Sequence, residues 1–439
     1  MTIMKKHIYT LLLLLAVISI TKAQQTPAEK QSQRILIMNA TAHIGNGKVI
    51  ENSYVAFENG KITLVTDATK TKIDPTQYDE KIDATGKHVY PGFIVCNSTL
   101  GLVEIDAVKA SDDESELGDL NPNIRSLIAY NTESKVIETM RPNGILAGQI
   151  TPRGGRISGT SSIVQFDAWN WEDAALKKDD GIHMNWPNSL TRGKWWLGED
   201  PTLKPNKKYA KIIADLKIYF EKAKVYNLEK AATRNLPFEA MQGLFTEKQT
   251  LYINANGARE IMDAVNFAKD AGIHKIVIIG GNEATKISDF LIENNIPVIV
   301  TRPHSLPSAE DDNVKEPYKL AAELANKGVV VSIDPNGDME RMNSRNLPFY
   351  AGTCAAYGLD KEDALSLITL NAAKILGVED TMGTLESGKD ATLFISEGDA
   401  LDMRTNILSK AFIQGRAISL ETHQTELYHR YNQKINGSN

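Results

Sequence analysis

An α/β protein is what three features of this sequence predict, and more narrowly a distorted (β/α)8 TIM-type barrel with a small composite β-sandwich domain built from both chain ends. Strand-and-turn patterns crowd the two ends of the chain. Strands and amphipathic helices alternate through the long middle. No glycine-rich dinucleotide turn opens the first alternating unit, which disfavours an open doubly wound sheet. The 439 residues suffice for one large domain with an appendage.

The chain opens on MTIMKKHIYTLLLLLAVISITKAQQ, with Lys5 and Lys6 ahead of an apolar run from Ile8 to Ile20 and small residues at Thr21 and Ala23. This is the pattern of a secretory signal peptide cut after Ala23, which implies delivery to the periplasm. The run is shorter than the ~20 residues a membrane span needs, and nothing later is apolar enough to span. Residues 24–33 are polar and read as a flexible lead-in.

RILIMNATAHI, VIENSYVAFENGKITLVT and KIDATGKHVYPGFIV then alternate apolar positions around Asn-Gly and Gly-Lys breaks, as hairpins do. They assign 34–90 to the first part of the β domain; GTLESGKDATLFI and KAFIQGRAIS assign 383–420 to the second. Between them, 91–382 is the barrel. GILAGQITP, LYINA, HKIVIIGG, IPVIVTRP and GVVVSIDP read as strands. REIMDAVNFAKDAG, ATKISDFLIENN and PYKLAAELANKG read as helices, and DKEDALSLITLNAAKILG as one running from an Asp cap to a Gly. Such units imply a parallel sheet with helices outside. Two stretches read as irregular: residues 110–134, and WNWEDAALKKDDGIHMNWPNSLTRGKWWLGED, which holds all five tryptophans. Residues 421–439 are a polar tail.

A net charge of −6 gives no electrostatic case for nucleic acid or an anionic membrane. The two cysteines, Cys96 and Cys354, sit in apolar patterns and read as buried small hydrophobes.

ATGKHVYPGFI ahead of the alternating middle, with NAAKILGVEDTMGTLESGKDATLFI behind it, resembles the amidohydrolase superfamily, near its exported bacterial members close to the imidazolonepropionase and Xaa-Pro dipeptidase groups. The resemblance runs from about Arg34 to Leu420. It implies hydrolysis of amide, lactam and related C–N bonds with one or two divalent metals. Bound zinc lowers the pKa of its water to about 7 and polarises a carbonyl. The family places two histidines at strand 1, one each at strands 5 and 6, and an aspartate at strand 8, often with a bridging lysine. Here those positions fall on Asn97 and Thr99, on Asn254, on Gly280 or Gly281, and on Asp334. Only the aspartate matches, and no bridging lysine is legible. Asparagine and threonine are poor zinc ligands. The reading therefore assigns no metal or other cofactor, and zinc only if side chains from elsewhere rebuild a site.

Asp334 is read either as a surviving acid–base group or as a carboxylate held by backbone amides or an arginine. His304, Asp311 and Asp312 follow a strand at the carboxyl end of the barrel, where catalytic groups gather. With His183 they are pocket candidates or hydrogen-bonding struts. RGGRISG, with Arg153 and Arg156, offers either guanidinium groups for an anion or a glycine-rich crossover. GDMERMNSRN brings Asp338, Glu340, Arg341 and Arg345 over the mouth, as internal salt links or, for an arginine, a substrate contact.

Two functions stay open. One is a degenerate family member that binds a small peptide-like or cyclic-amide ligand, or that pairs with itself or with an active homologue. The other is a C–N hydrolase working from a rebuilt metal site, or by acid–base chemistry around Asp334. A solute-binding role in transport is disfavoured, because a single barrel pattern lacks two hinged lobes.

Overall fold

The computed structural model describes residues 26–229, 233–307, 312–337 and 339–437. The predicted signal peptide, Asp311 and Asp338 lie outside the described residues.

Five strands come first: β1 (Ile35–His43), β2 (Val49–Glu58), β3 (Lys61–Asp67), β4 (Glu80–Asp83) and β5 (His88–Pro91). The middle holds β6 (Phe93–Ser98), β7 (Ile145–Ile150), β8 (Ile157–Gln165), β9 (Ala175–Asn185), β10 (Leu190–Arg192), β11 (Leu203–Pro205), β12 (Thr250–Ala255), β13 (Ile276–Gly280), β14 (Val298–Thr301) and β15 (Val331–Asp334). β16 (Leu393–Ser396), β17 (Leu408–Ile413) and β18 (Arg416–Ala417) close the chain.

The two ends meet in one eight-stranded sheet, ordered β18-β17-β16-β5-β1-β2-β3 with β4 also on β1. β16 lies antiparallel to β5, pairing Leu393 with Pro91 and Ser396 with His88. This sheet has its own core, built on Ile37, Val55, Phe57, Leu393 and Phe412. The lead-in is tethered rather than loose: Ala28 N donates to Asp167 Oδ2 at 2.9 Å, and Arg416 Nη1 donates to Ala28 O at 3.1 Å. The polar tail carries a helix, residues 423–436, with a Thr422 capping box.

The second eight-stranded sheet runs β15-β14-β13-β12-β9-β8-β7-β6, and Asn97 on β6 bonds Asp334 on β15 to close the ring. Helices α1 (Tyr209–Glu229), α2 (Ala258–Asp270), α3 (Ser288–Glu293) and α4 (Glu316–Asn326) lie between the later strands. After β15 come α5 (Glu340–Asn343), α6 (Leu347–Ala356), α7 (Lys361–Ser366) and α8 (Leu370–Leu376). The predicted single helix from Asp360 to Gly377 is thus two. The Asp360 cap, which accepts from Glu362 N and Asp363 N, and the left-handed Gly377 end are both present. Inward residues Ile94, Ala147, Ile163, Val277 and Ile299 pack with Ala372, Ile375 and Leu376 of α8 to floor the barrel at the amino ends of its strands.

The barrel departs from repeated strand–helix units in its second quarter. β8 is antiparallel to both β7 and β9. Only residues 151–156 join β7 to β8, far fewer than the dozen or so a parallel crossover needs. The RGGRISG stretch is therefore a tight turn leading into a barrel strand, with left-handed Gly154 and Gly155. The tryptophan-rich stretch expected to be irregular contains β9, the fourth barrel strand. Among the described residues no helix is long and apolar enough to cross a membrane.

Candidate functional site

β6 carries a register shift between Val95 and Ser98, and Asn97 there is left-handed at φ 48°. The kink turns the Asn97 side chain into the carboxyl-end mouth, where Nδ2 donates to Asp334 Oδ2 at 2.8 Å. Asn336 N donates to the other Asp334 oxygen at 2.9 Å. Asp334 is fully buried. Burial pushes its carboxyl up to about 7, opposed by the Asn97 hydrogen bond.

Arg153, in the β7–β8 turn, reaches across this mouth. Its Nη1 donates to Asn97 Oδ1 at 3.0 Å, and its Nη2 donates to Asn97 O at 2.7 Å and to Glu340 Oε2 at 3.0 Å. Glu340, at the start of α5 and 4 % exposed, also accepts from Thr99 N at 2.7 Å and Thr99 Oγ1 at 3.1 Å. Arg341 continues the array outward, donating from Nη1 to Thr99 Oγ1 and Glu114 Oε2, each at 3.0 Å, and pairing with Asp106. The mouth is thus spanned by alternating charges whose donors and acceptors satisfy one another.

Below this cap the barrel holds a buried polar cluster. Asp180 of β9 accepts from Ser161 Oγ at 2.7 Å, Gln149 Nε2 at 2.9 Å and Tyr252 Oη at 2.9 Å. Burial raises its pKa against those three donors. Gln149 also accepts Asn97 N at 3.1 Å, tying cluster to cap. His183 shares a 3.0 Å hydrogen bond between Nε2 and Ser161 Oγ and stacks on Tyr252 with centroids 4.6 Å apart. Burial, then the nearby Arg153 charge, drives its pKa well down, so it stays neutral. Its Nδ1 is buried with no hydrogen-bond partner among the described residues.

The remaining predicted residues do not join this centre. His304 turns outward, with Nε2 2.7 Å from Thr353 Oγ1 and its ring against Tyr318 and Tyr350. Arg156 Nη1 donates to Asn185 O, a strand-to-strand tie. Asp312 and Arg345 are exposed. Asn254 is half-buried at the end of β12. Gly280 and Gly281 are left-handed; a Cβ on Gly280 would lie 2.4 Å from Asn256 Oδ1, and one on Gly281 2.9 Å from Val298 Cγ1. A side chain therefore does not fit at that strand end without a shift. The strand before LYINA, illegible in the sequence, is β9; of its two lysines, Lys177 donates to Leu376 O at the barrel floor and Lys178 stands over the Trp171 ring, so neither reaches the mouth. His183, His304 and Asp334 share no partner in these contacts. Among the described residues, no group of three or more His, Cys, Asp or Glu is placed to hold a metal ion.

In the sequence Glu340 reads only as an internal salt-link residue, and Arg153 as an anion-facing residue or part of a glycine-rich crossover. Their pairing with each other and with Asn97 is visible only in three dimensions. Asp180, Gln149, Ser161 and Tyr252 were not singled out at all. Asp180 lies between Asp179 and Gly181, residue types rare in strands, so its segment carries no strand signal.

The amidohydrolase family profile matches residues 239–418. An imidazolonepropionase from Flavobacterium psychrophilum is 26 % identical over 125 residues, a stretch that is 27 % of this chain and spans only 30 % of that relative's length. Among solved structures, an amidohydrolase from Thermotoga maritima MSB8 superposes with a TM-score of 0.74 at 26 % identity, covering 88 % of this chain and 99 % of that one. A Xaa-Pro dipeptidase with methionine bound in its active site shares the fold at a TM-score of 0.52 and 14 % identity, over 88 % of this chain and 100 % of the other. With its eight-stranded barrel, its composite sheet and these likenesses, the chain is similar to the amidohydrolase superfamily, whose profile matches its residues 239–418.

Proposed function

We propose that this protein keeps the amidohydrolase barrel without metal-driven hydrolysis, and that it acts after export to the periplasm as a binding or assembly subunit. The observation that carries the reading is Arg153. Its guanidinium stands in the mouth, bonded to Asn97 Oδ1 and Glu340 Oε2. A fixed positive charge repels a divalent cation, and the amide oxygen that could face one is already committed. Thr99 Oγ1 is likewise engaged, between Glu340 and Arg341. Amides, a hydroxyl and glycines leave Asp334 as the one zinc-type donor among these positions, a set that does not fit zinc.

One observation favours the second reading. A carboxyl with a pKa of about 7 is suited to proton transfer near neutral pH. Against it, both Asp334 oxygens already accept hydrogen bonds, so a substrate would first have to displace Asn97. The test is hydrolysis of a panel of dipeptides and cyclic amides, with and without added zinc or manganese, by the mature protein and by Asp334→Asn. The proposal expects no turnover above the variant's. Turnover that Asp334→Asn abolishes would overturn it in favour of acid–base catalysis.

A further inference from the structure

Between β9 and α1 the chain leaves the barrel as the ribbon β10–β11, pairing Leu190 with Pro205, Thr191 with Lys204 and Arg192 with Leu203. The ribbon pairs with no other described strand. Both of its strands are exposed throughout, and the turn Trp195–Leu197 buries nothing. It is nevertheless well tied. At its base Ser189 donates from N and Oγ to Glu260 Oε1 at 2.8 and 2.6 Å, and Asn206 Nδ2 donates to Asn188 O at 2.8 Å. Near its tip Lys194 N donates to Glu199 Oε2 at 2.7 Å, and Lys204 pairs with Asp200 at 2.7 Å. A two-stranded ribbon is marginal in water without an apolar face to bury. This one holds its apolar side chains in solvent: Trp195 is 71 % exposed, Trp196 63 %, Leu197 65 %, Leu203 55 % and Leu190 46 %.

We propose that the ribbon is a self-association surface on which a second copy of this chain docks. Area and charge select that occupant. Aromatic side chains bury up to ~250 Å² each, so the tryptophans and leucines together present on the order of 500 Å² of apolar surface, at the upper end of what a monomer leaves exposed. That matches the apolar ~65 % of the ~800 Å² that each partner contributes to a stable dimer. Arg192 and Lys194 precede the tryptophans, and Glu199, Asp200 and Lys204 follow them, Asp200 being held by Lys204. A surface with both signs on either side of an apolar centre can complement itself across a two-fold axis. An anionic membrane would instead favour a purely basic rim. The inference does not depend on the state of the metal site.

The test is sedimentation velocity of the mature protein over a wide micromolar range, beside Trp195→Ser/Trp196→Ser and, separately, Arg192→Glu. A dimer is expected for the wild type. Its dissociation constant should rise at least ~100-fold in the double variant, as when paired aromatic anchors are removed. It should rise more modestly, and with a changed salt dependence, in Arg192→Glu. Melting temperatures measured below the wild-type dissociation constant should hold, because these side chains are mostly exposed within the chain; a variant that fails that control is replaced by the other. A wild type that stays monomeric, or a dimer that survives the double substitution, would overturn the proposal. So would a monomer that pellets with phosphatidylglycerol vesicles through its tryptophans.

Discussion

Asp334 and Arg153 set the behaviour of the barrel mouth. Asp334 titrates at about 7 in the folded chain against 3.8 ordinarily, so between those values the folded state holds a proton that the unfolded state has lost. Its contribution is fully present below about pH 4 and is lost as pH rises toward 7, at about 1.4 kcal/mol per pH unit. His183 works in the opposite direction: held neutral by burial, it costs stability as pH falls below about 6.5, where the unfolded imidazole takes a proton. Asp334→Asn should remove the first trend and leave the second, read as urea-unfolding free energies across pH. Arg153→Ala should destabilise by roughly 2–4 kcal/mol, because it leaves Glu340 buried beside Asn97 without its cation. The figure sits below that of a wholly buried pair because a fifth of the Arg153 side chain is exposed. Asn97, Thr99 and Asp334 were legible in CNSTLG and SIDPNGD because they sit at fixed places on strand ends. The Arg153–Glu340 pair was not, because it joins a turn to a short helix 187 residues apart.

Strands β8 and β9 show why part of the barrel was hidden in the sequence. A strand is recognised by apolar residues on its buried face. Here those buried faces carry Ser161, Asp180 and His183, so RGGRISG reads as a crossover and KKDDGIHMN falls in a stretch that reads as irregular. β6, β12, β13 and β14 bury mostly apolar residues, and their positions were correctly expected. The antiparallel course of β8 follows from the short Gly154-Gly155 turn, a feature that weighs less in a sequence than the repeated helices around it. The polar cluster should be costly to disturb. Tyr252→Phe removes one of three donors to Asp180 and should cost about 1–3 kcal/mol, measurable as a lower urea midpoint with an unchanged slope.

At the scale of the whole molecule, the composite sheet and the barrel are joined through Tyr90, Phe93 and Phe394, where Phe394 stacks on Tyr90 at 5.4 Å and meets Phe93 edge-on at 4.9 Å. Phe394 arrives from the far end of the chain and is fully buried. Phe394→Ala should cost roughly 3–5 kcal/mol and lower the thermal midpoint of the barrel and the sheet together, since the cavity opens at their junction. The union of the two chain ends was legible because turn signals stand in both terminal segments, Asn59-Gly60 in the first and Gly388-Lys389 in the second. In the proposed function an arginine-centred cap stands at the barrel mouth in place of a metal. Metal content of the mature protein, purified without chelator or metal-binding tag and read by mass spectrometry, tests it most directly. The account expects a folded protein with no stoichiometric divalent metal, unchanged after incubation with zinc. One equivalent of zinc or manganese, lost on Asp334→Asn, would contradict it.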